Sequence, residues 1–270
     1  MTTYKPHTAV LDSKEGSAPE AVANEFEKFI KDYIGYCNNR NYVAAWNLVS
    51  EDCKENFFGN SYDLFVSYVQ QKFDGNTKKY AIQNYSNVNG GYIYNVTLFD
   101  DYLATGLTNQ RYYTQSEKFI MRYDENKNLV CSVGNYMDNQ SLNYMISNDY
   151  LRIEVTEAIE KYNFIMYRIN FVNRTNHTIV VQDNLSGDWE IGMAIGNEIR
   201  HTVDDTKIIL SPGSSKTAIL SFEKFYDSSN EPTGLVFNAI RVMDNYTGNP
   251  ETAEAEIENA IDKFSMTMAF

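Results

Sequence analysis

Apolar positions follow a helical period through the first quarter of the chain and then switch to strict alternation. Val22, Phe26, Phe29, Ile30, Tyr33 and Cys37 fall on one face of an amphipathic helix that begins near Ala18. A second helix is expected over Tyr42 to Leu48, around Trp46, and a short third behind the cap Ser50-Glu51-Asp52. A fourth runs from Ser61 to Phe73, where Tyr62, Phe65, Val66, Val69 and Phe73 share a face, and Asp74-Gly75-Asn76 stops it.

From Lys78 the period is two. Two strands flank the turn Asn89-Gly90-Gly91, with Tyr92, Tyr94, Val96 and Leu98 on one face and Asn95 and Thr97 on the other. A third strand covers Glu117 to Tyr123, with Phe119, Met121 and Tyr123 inward, and the turn Asp124 to Asn128 leads to a fourth, Leu129 to Val133. Strands then follow one another at Leu151–Val155, Ile165–Phe171, His177–Gln182, Trp189–Ile195, Lys207–Leu210, Ala218–Phe222, Val236–Val242 and Lys263–Phe270. Short strands separated by turns, with one charged connector before the last, predict a β-sandwich. The expected fold is α+β: a polar tail without order over 1–17, helices on a curved antiparallel sheet over 18–146, and an all-β sandwich over 147–270. No Pro- or Gly-rich spacer marks the joint around Asn143 to Asp149.

Composition narrows the partners. The 270 residues carry a formal net charge of −13 and a sequence pI of about 4.7. That balance repels phosphate backbones and anionic lipid heads, so neither nucleic acid nor a membrane surface is expected as partner. No stretch approaches the ~20 apolar residues a helix needs to span a bilayer. The leading segment has neither a basic nor an apolar region of a signal peptide, and reads as the stub of a stalk or linker. Two locations stay open: the cytoplasm, or the cell exterior, with an anchor lying outside this sequence. Cys37, Cys53 and Cys131 form no C-x-x-C pair and read as buried thiols, with a Cys37–Cys53 bridge left open.

The order of elements, with "NRNYVAAWNLVSEDCKENFF", resembles the NTF2-like superfamily, whose members carry a phrase of this Tyr-x-x-Ala-Trp-x-Leu kind; Asn38 to Asp52 fit it. The resemblance covers about Pro19 to Met145 and implies helices closing a conical sheet. In the second half, "LSPGSSKTAILSF" resembles a phrase common in immunoglobulin-like domains of bacterial envelope proteins, with Pro212-Gly213 as its turn. Together the halves resemble Gram-positive envelope proteins of unassigned function.

The chain has three histidines, His7, His177 and His201, and none lies within 18–146, so the His-Asp pair of polyketide-cyclase-like members has no counterpart. The Asp and Tyr set of ketosteroid-isomerase-like members finds no local motif here. For an Asp-Arg-Asp relay of the epoxide-hydrolase kind, Arg111, Arg122, Asp100 and Asp101 lie on or beside strands, but Arg122 alternates with inward residues and faces away. "DENKN" spaces Asp124, Asn126 and Asn128 like a calcium loop but lacks its Gly and Glu, and reads as a hairpin turn. Asp204-Asp205, and Asp183 with Asp188, read as solvated loops rather than a calcium site. No Gly-rich phosphate loop and no activated nucleophile is present. Neither a cofactor nor a metal is expected. The pocket candidates are Trp46, Tyr80, Tyr94, Met121 and Tyr123, as walls of the cone, with Trp46, Leu48 and Val49 closing its mouth.

The expected function is a non-catalytic, extracytoplasmic binding or scaffold protein for a protein, peptide or glycan. The alternative is an NTF2-like cavity enzyme or small-molecule binder.

Overall fold

The computed structural model describes residues 9–10, 20–73, 77–88, 91–101, 114–185, 189–224, 231–244 and 246–270. The chain is mixed α+β and separates into two compact units, His7–Asp138 and Asn139–Phe270. Most of the leading segment, the turn residues Asn89 and Gly90, the stop at 74–76, Arg111 and Asp188 lie outside the described residues.

In the first unit, α1 (Glu20–Asn38) buries Phe26, Ile30, Tyr33, Ile34 and Cys37, one stripe at helical spacing. Its end has the hydrogen bonds of a Schellman motif: Asn41 N donates to Tyr36 O and Arg40 N to Cys37 O. Arg40 takes φ 56° there, a position that favours glycine. Helix α2 (Tyr42–Asn47) starts under the Asn41 side chain, α3 (Glu51–Asn56) under Ser50, and α4 (Tyr62–Phe73) under Ser61.

The strands β1 (Ala9–Val10), β2 (Lys78–Val88), β3 (Gly91–Asp100), β4 (Thr114–Tyr123) and β5 (Leu129–Ser132) form one antiparallel sheet in chain order. Ala9–Val10 therefore pair within a segment expected to lack order. The link between α2 and α3 is stitched to β5: Cys131 N donates to Leu48 O, and Ser50 N donates to Cys131 O. Val49 is buried at this seam, which fixes the helical hairpin against the sheet edge.

The second unit begins with β6 (Tyr136–Ser147), which crosses the unit division at 138/139 and runs through the expected joint. The polar run Asp138-Asn139-Gln140-Ser141 masks this strand in the sequence. β7 (Leu151–Lys161), β8 (Phe164–Asn173) and β13 (Ser215–Glu223) join it in a four-stranded sheet ordered β13-β8-β7-β6. The other sheet contains β9 (Thr178–Gln182), β10 (Ile191–Ile195), β11 (Glu198–His201), β12 (Ile208–Leu210), β14 (Pro232–Met243) and β15 (Asp262–Ala269). A short helix, α5 (Ala253–Glu258), precedes β15. The alternating residues Ile153, Val155, Tyr167, Ile169 and Phe171 of one sheet share a single core with Ile191, Met193, Phe237, Ile240 and Val242 of the other. Phe171 and Phe237 meet edge to face at 5.8 Å. The edge strand β11 carries no apolar alternation, which is why the sequence did not announce it.

Candidate functional site

Three places concentrate chemistry, and the first is the face of the five-stranded sheet that packs on α1. Cross-strand pairing sets Tyr94 beside Phe119, Tyr92 beside Met121 and Val96 beside Glu117. Tyr94, Val96, Phe119 and Met121 are all buried. Phe26 of α1 packs on Tyr94 at 5.9 Å, and Tyr33 packs on Phe119 at 5.4 Å. These side chains pack against the buried face of α1.

At one end of this interior lies a carboxylate, Glu117. It accepts hydrogen bonds from the Tyr68 hydroxyl and from Gly134 N, and Lys72 Nζ stands 3.3 Å from its other oxygen. Gly134 has φ 70°, and a Cβ there would come within 2.5 Å of the Phe57 ring, so glycine is needed for this donor to reach Glu117. Burial raises the Tyr68 hydroxyl well above its ordinary value, and the Glu117 charge adds to that. Cys37, Cys53 and Cys131 are free thiols, all buried. Burial pushes Cys37 and Cys53 up to about 12, so neither is a ready nucleophile at neutral pH. Among the described residues no group of three His, Cys, Asp or Glu is placed to hold a metal.

The five residues singled out as cone walls do not line one chamber. Tyr94 and Met121 belong to the packed interior. Tyr123 is 47% exposed and donates its hydroxyl to Glu25. Trp46 sits in the helical layer, half-buried against Phe58, Tyr62 and Phe65, with Lys54 Nζ 5.3 Å from its ring centroid.

Tyr80 faces a second place, an open hollow of about 340 Å³ between α1 and the sheet edge. Its floor and walls are Ile34, Gly35, Tyr80 and Phe99; Lys31, Lys78, Lys79 and Asn38 complete it. Lys78 pairs with Asp100 and Lys79 with Asp101, while Lys31 has no ion-pair partner among the described residues. The Asn38 side chain ties α1 to β2 by bonding both the N–H and the carbonyl of Lys78. Gly35 is the informative residue. A Cβ on it would meet nothing within 4 Å, so no packing constraint requires glycine there, yet glycine inside a helix costs about 1 kcal/mol relative to alanine.

The third place lies in the sandwich. β9 and β10 run end to end along one edge of β14, with Val180 opposite Arg241 and Ile191 opposite Phe237. Asp183 follows the end of β9 and Glu190 precedes the start of β10, and opposite them β14 has a register shift between Phe237 and Ile240, where Ala239 takes φ 54°. Arg241, 0% exposed, fills the gap. One of its terminal nitrogens, Nη2, reaches Asp183 Oδ1 and Glu190 Oε1, both at 2.8 Å. Glu190 also accepts from Asp183 N and Asn184 N, and Asp183 from Leu185 N and the Tyr246 hydroxyl. Two carboxylates thus share one guanidinium. Burial pushes Glu190 up to about 7, with the Asp183 charge adding to it. Against the cost of its own burial, the Arg241 hydrogen bond holds Asp183 below its usual value. Asp183, expected from the sequence to be a solvated loop residue, is instead buried, half of a clamp that ties the end of β9 to the start of β10. Beside it, Trp189 stacks on His201 at 5.1 Å. His177 instead pairs with Asp244 at 2.7 Å. Asp124 accepts from Asn128 N and closes the turn it was expected to close.

Sequence reasoning missed Glu117, Arg241, Glu190 and Gly35. Signals existed: Glu117 shares its parity with Phe119 and Met121, Arg241 interrupts an apolar strand, and Gly35 interrupts an apolar helix. Comparison with protein-family models, curated proteins and solved structures found no match for this chain. The fold and these sites define a mixed α+β protein of two units built on antiparallel sheets.

Proposed function

We propose that this chain is an extracytoplasmic, envelope-associated binding or scaffold protein without catalytic activity, in which an NTF2-like domain precedes an immunoglobulin-like sandwich. The observation that supports the reading is the packed interior: Tyr94, Phe119 and Met121 are buried, with Tyr94 against Phe26 and Phe119 against Tyr33 of α1. Helices followed by a meandering antiparallel sheet, and then two facing antiparallel sheets, support the two domain assignments. A cavity enzyme or interior small-molecule binder is the second reading, and Glu117 is the observation in its favour. Its oxygens, however, are engaged by Tyr68, Lys72 and Gly134.

Two measurements test the proposal. The Met121 methyl group, followed by NMR while peptide, glycan and small-molecule collections are titrated, should stay unmoved as binders shift surface residues; a ligand that displaces it supports the interior reading. Protease applied to intact cells of the source organism should destroy an epitope within 151–270. Protection until the cells are broken would sink the extracytoplasmic assignment.

A further inference from the structure

We propose that the hollow beside Gly35 is a binding site for a small anionic molecule with a flat apolar body, an aromatic carboxylate in chemical class. This deepens the reading of the chain as a non-catalytic binder and rests on it. The volume of about 340 Å³ is of the size that accommodates a small ligand. Its walls supply the contacts such a molecule needs: the rings of Tyr80 and Phe99 and the aliphatic Ile34 for the body.

Charge selects the sign of the ligand. Acidic residues outnumber basic ones 36 to 23 in the whole chain, yet the ionisable groups lining this hollow, the tyrosine apart, are the three lysines 31, 78 and 79. Asp100 and Asp101 hold two of these, so Lys31 is the cation left to meet a carboxylate. Glu27 and Asp32 act on the Tyr80 hydroxyl, and Lys28 pairs with Asp32 at 3.4 Å.

Gly35 supplies the independent argument. A helix interior gains stability from alanine over glycine, and nothing within 4 Å of a Cβ forbids alanine here. What glycine preserves at this position is the open volume itself. Retaining a destabilising residue where only space is gained is the pattern of a site kept for function at a cost in stability.

The test uses the purified full chain and two probes, indole-3-acetate and neutral indole, titrated in amide-detected NMR. Indole-3-acetate should shift the amides of Lys31, Gly35 and Tyr80 with a Kd of about 1 mM or tighter, the range set by the ligand efficiency of so small a molecule. Indole should bind less tightly. Lys31→Gln should remove the preference for the acid, and raised salt should weaken the acid alone. Gly35→Ala should raise the melting temperature by about 2–4 °C while weakening the acid several-fold. Gly35→Leu should fill the hollow and abolish binding. The inference is overturned if no shift occurs, if indole binds as well as the acid, if the shifts fall away from α1 and β2, or if Gly35→Leu binds like the native chain. The Met121 methyl, read in the same samples, keeps the two claims apart: movement there fails the filled interior, whereas a silent hollow with Met121 unmoved fails only this site.

Discussion

Replacing Arg241 by methionine is the sharpest perturbation of the buried clamp. Methionine approximates the aliphatic stem but removes the nitrogen that reaches Asp183 and Glu190 at 2.8 Å each. Both carboxylates then remain buried without a countercharge, though Asp183 keeps the Tyr246 hydroxyl and Glu190 keeps two backbone N–H donors. Hydrogen bonds to charged groups contribute about 1.5–3 kcal/mol each, and breaking a buried ion pair from one side costs about 3–5 kcal/mol. The retained donors place the expected loss near the lower end, about 3 kcal/mol at pH 7.5. The chain has two tryptophans, and Trp189 lies beside the clamp, so urea unfolding followed by fluorescence in a Trp46→Phe background reports on the sandwich alone. Adding Asp183→Asn and Glu190→Gln to Arg241→Met should recover more than half of the loss, because the uncompensated charges are then gone. A loss below about 1 kcal/mol, or no recovery in the triple variant, would refute the account of two carboxylates sharing one buried guanidinium.

Further outcomes follow from the same structure. Burial raises Glu190 in the folded state from the ordinary 4.5 to about 7, so the folded chain binds more protons than the unfolded one between those values. Its contribution is therefore fully present below pH ~4.5 and is lost as pH rises through ~7, at most about 3–4 kcal/mol, and Glu190→Gln should flatten that limb of the stability–pH curve; an unchanged slope would contradict it. Trp46→Ala should cost about 2–3 kcal/mol, less than a fully buried ring would, because Trp46 is half-buried against Phe58, Tyr62 and Phe65; a loss under about 1 kcal/mol in chemical unfolding would rule out that packing. Glu117→Ala should cost about 2–4 kcal/mol by leaving the Tyr68 hydroxyl and Lys72 without their acceptor, and Glu117→Gln about half as much; equal losses in urea titrations would show that the carboxylate's charge is not what matters. In the folded chain all three thiols should resist an aromatic disulfide reagent and titrate only on unfolding; a fast-reacting thiol would contradict their burial.

Local pattern determined the kinds of element and much of their placing. The helical stripe of α1 and the cap at Ser50 needed only neighbours within a few residues, because helix periodicity and capping are local effects. The alternation of β3, β8 and β15 likewise made strands legible, since one buried face imposes period two. Strands with polar or exposed faces, β6 and β11, stayed hidden for the same reason. What only the tertiary structure decided is which side chains meet. Arg241 finds Glu190 across a separation of 51 residues, and Tyr68 finds Glu117 across 49. The first meeting depends on strand order and on the register shift in β14, the second on how α4 lies against β4, and none of these leaves a local trace in composition or spacing. Trp46 shows the same limit from the other side: its burial partners were set by where α3 and α4 turn back, not by the phrase of sequence in which it stands.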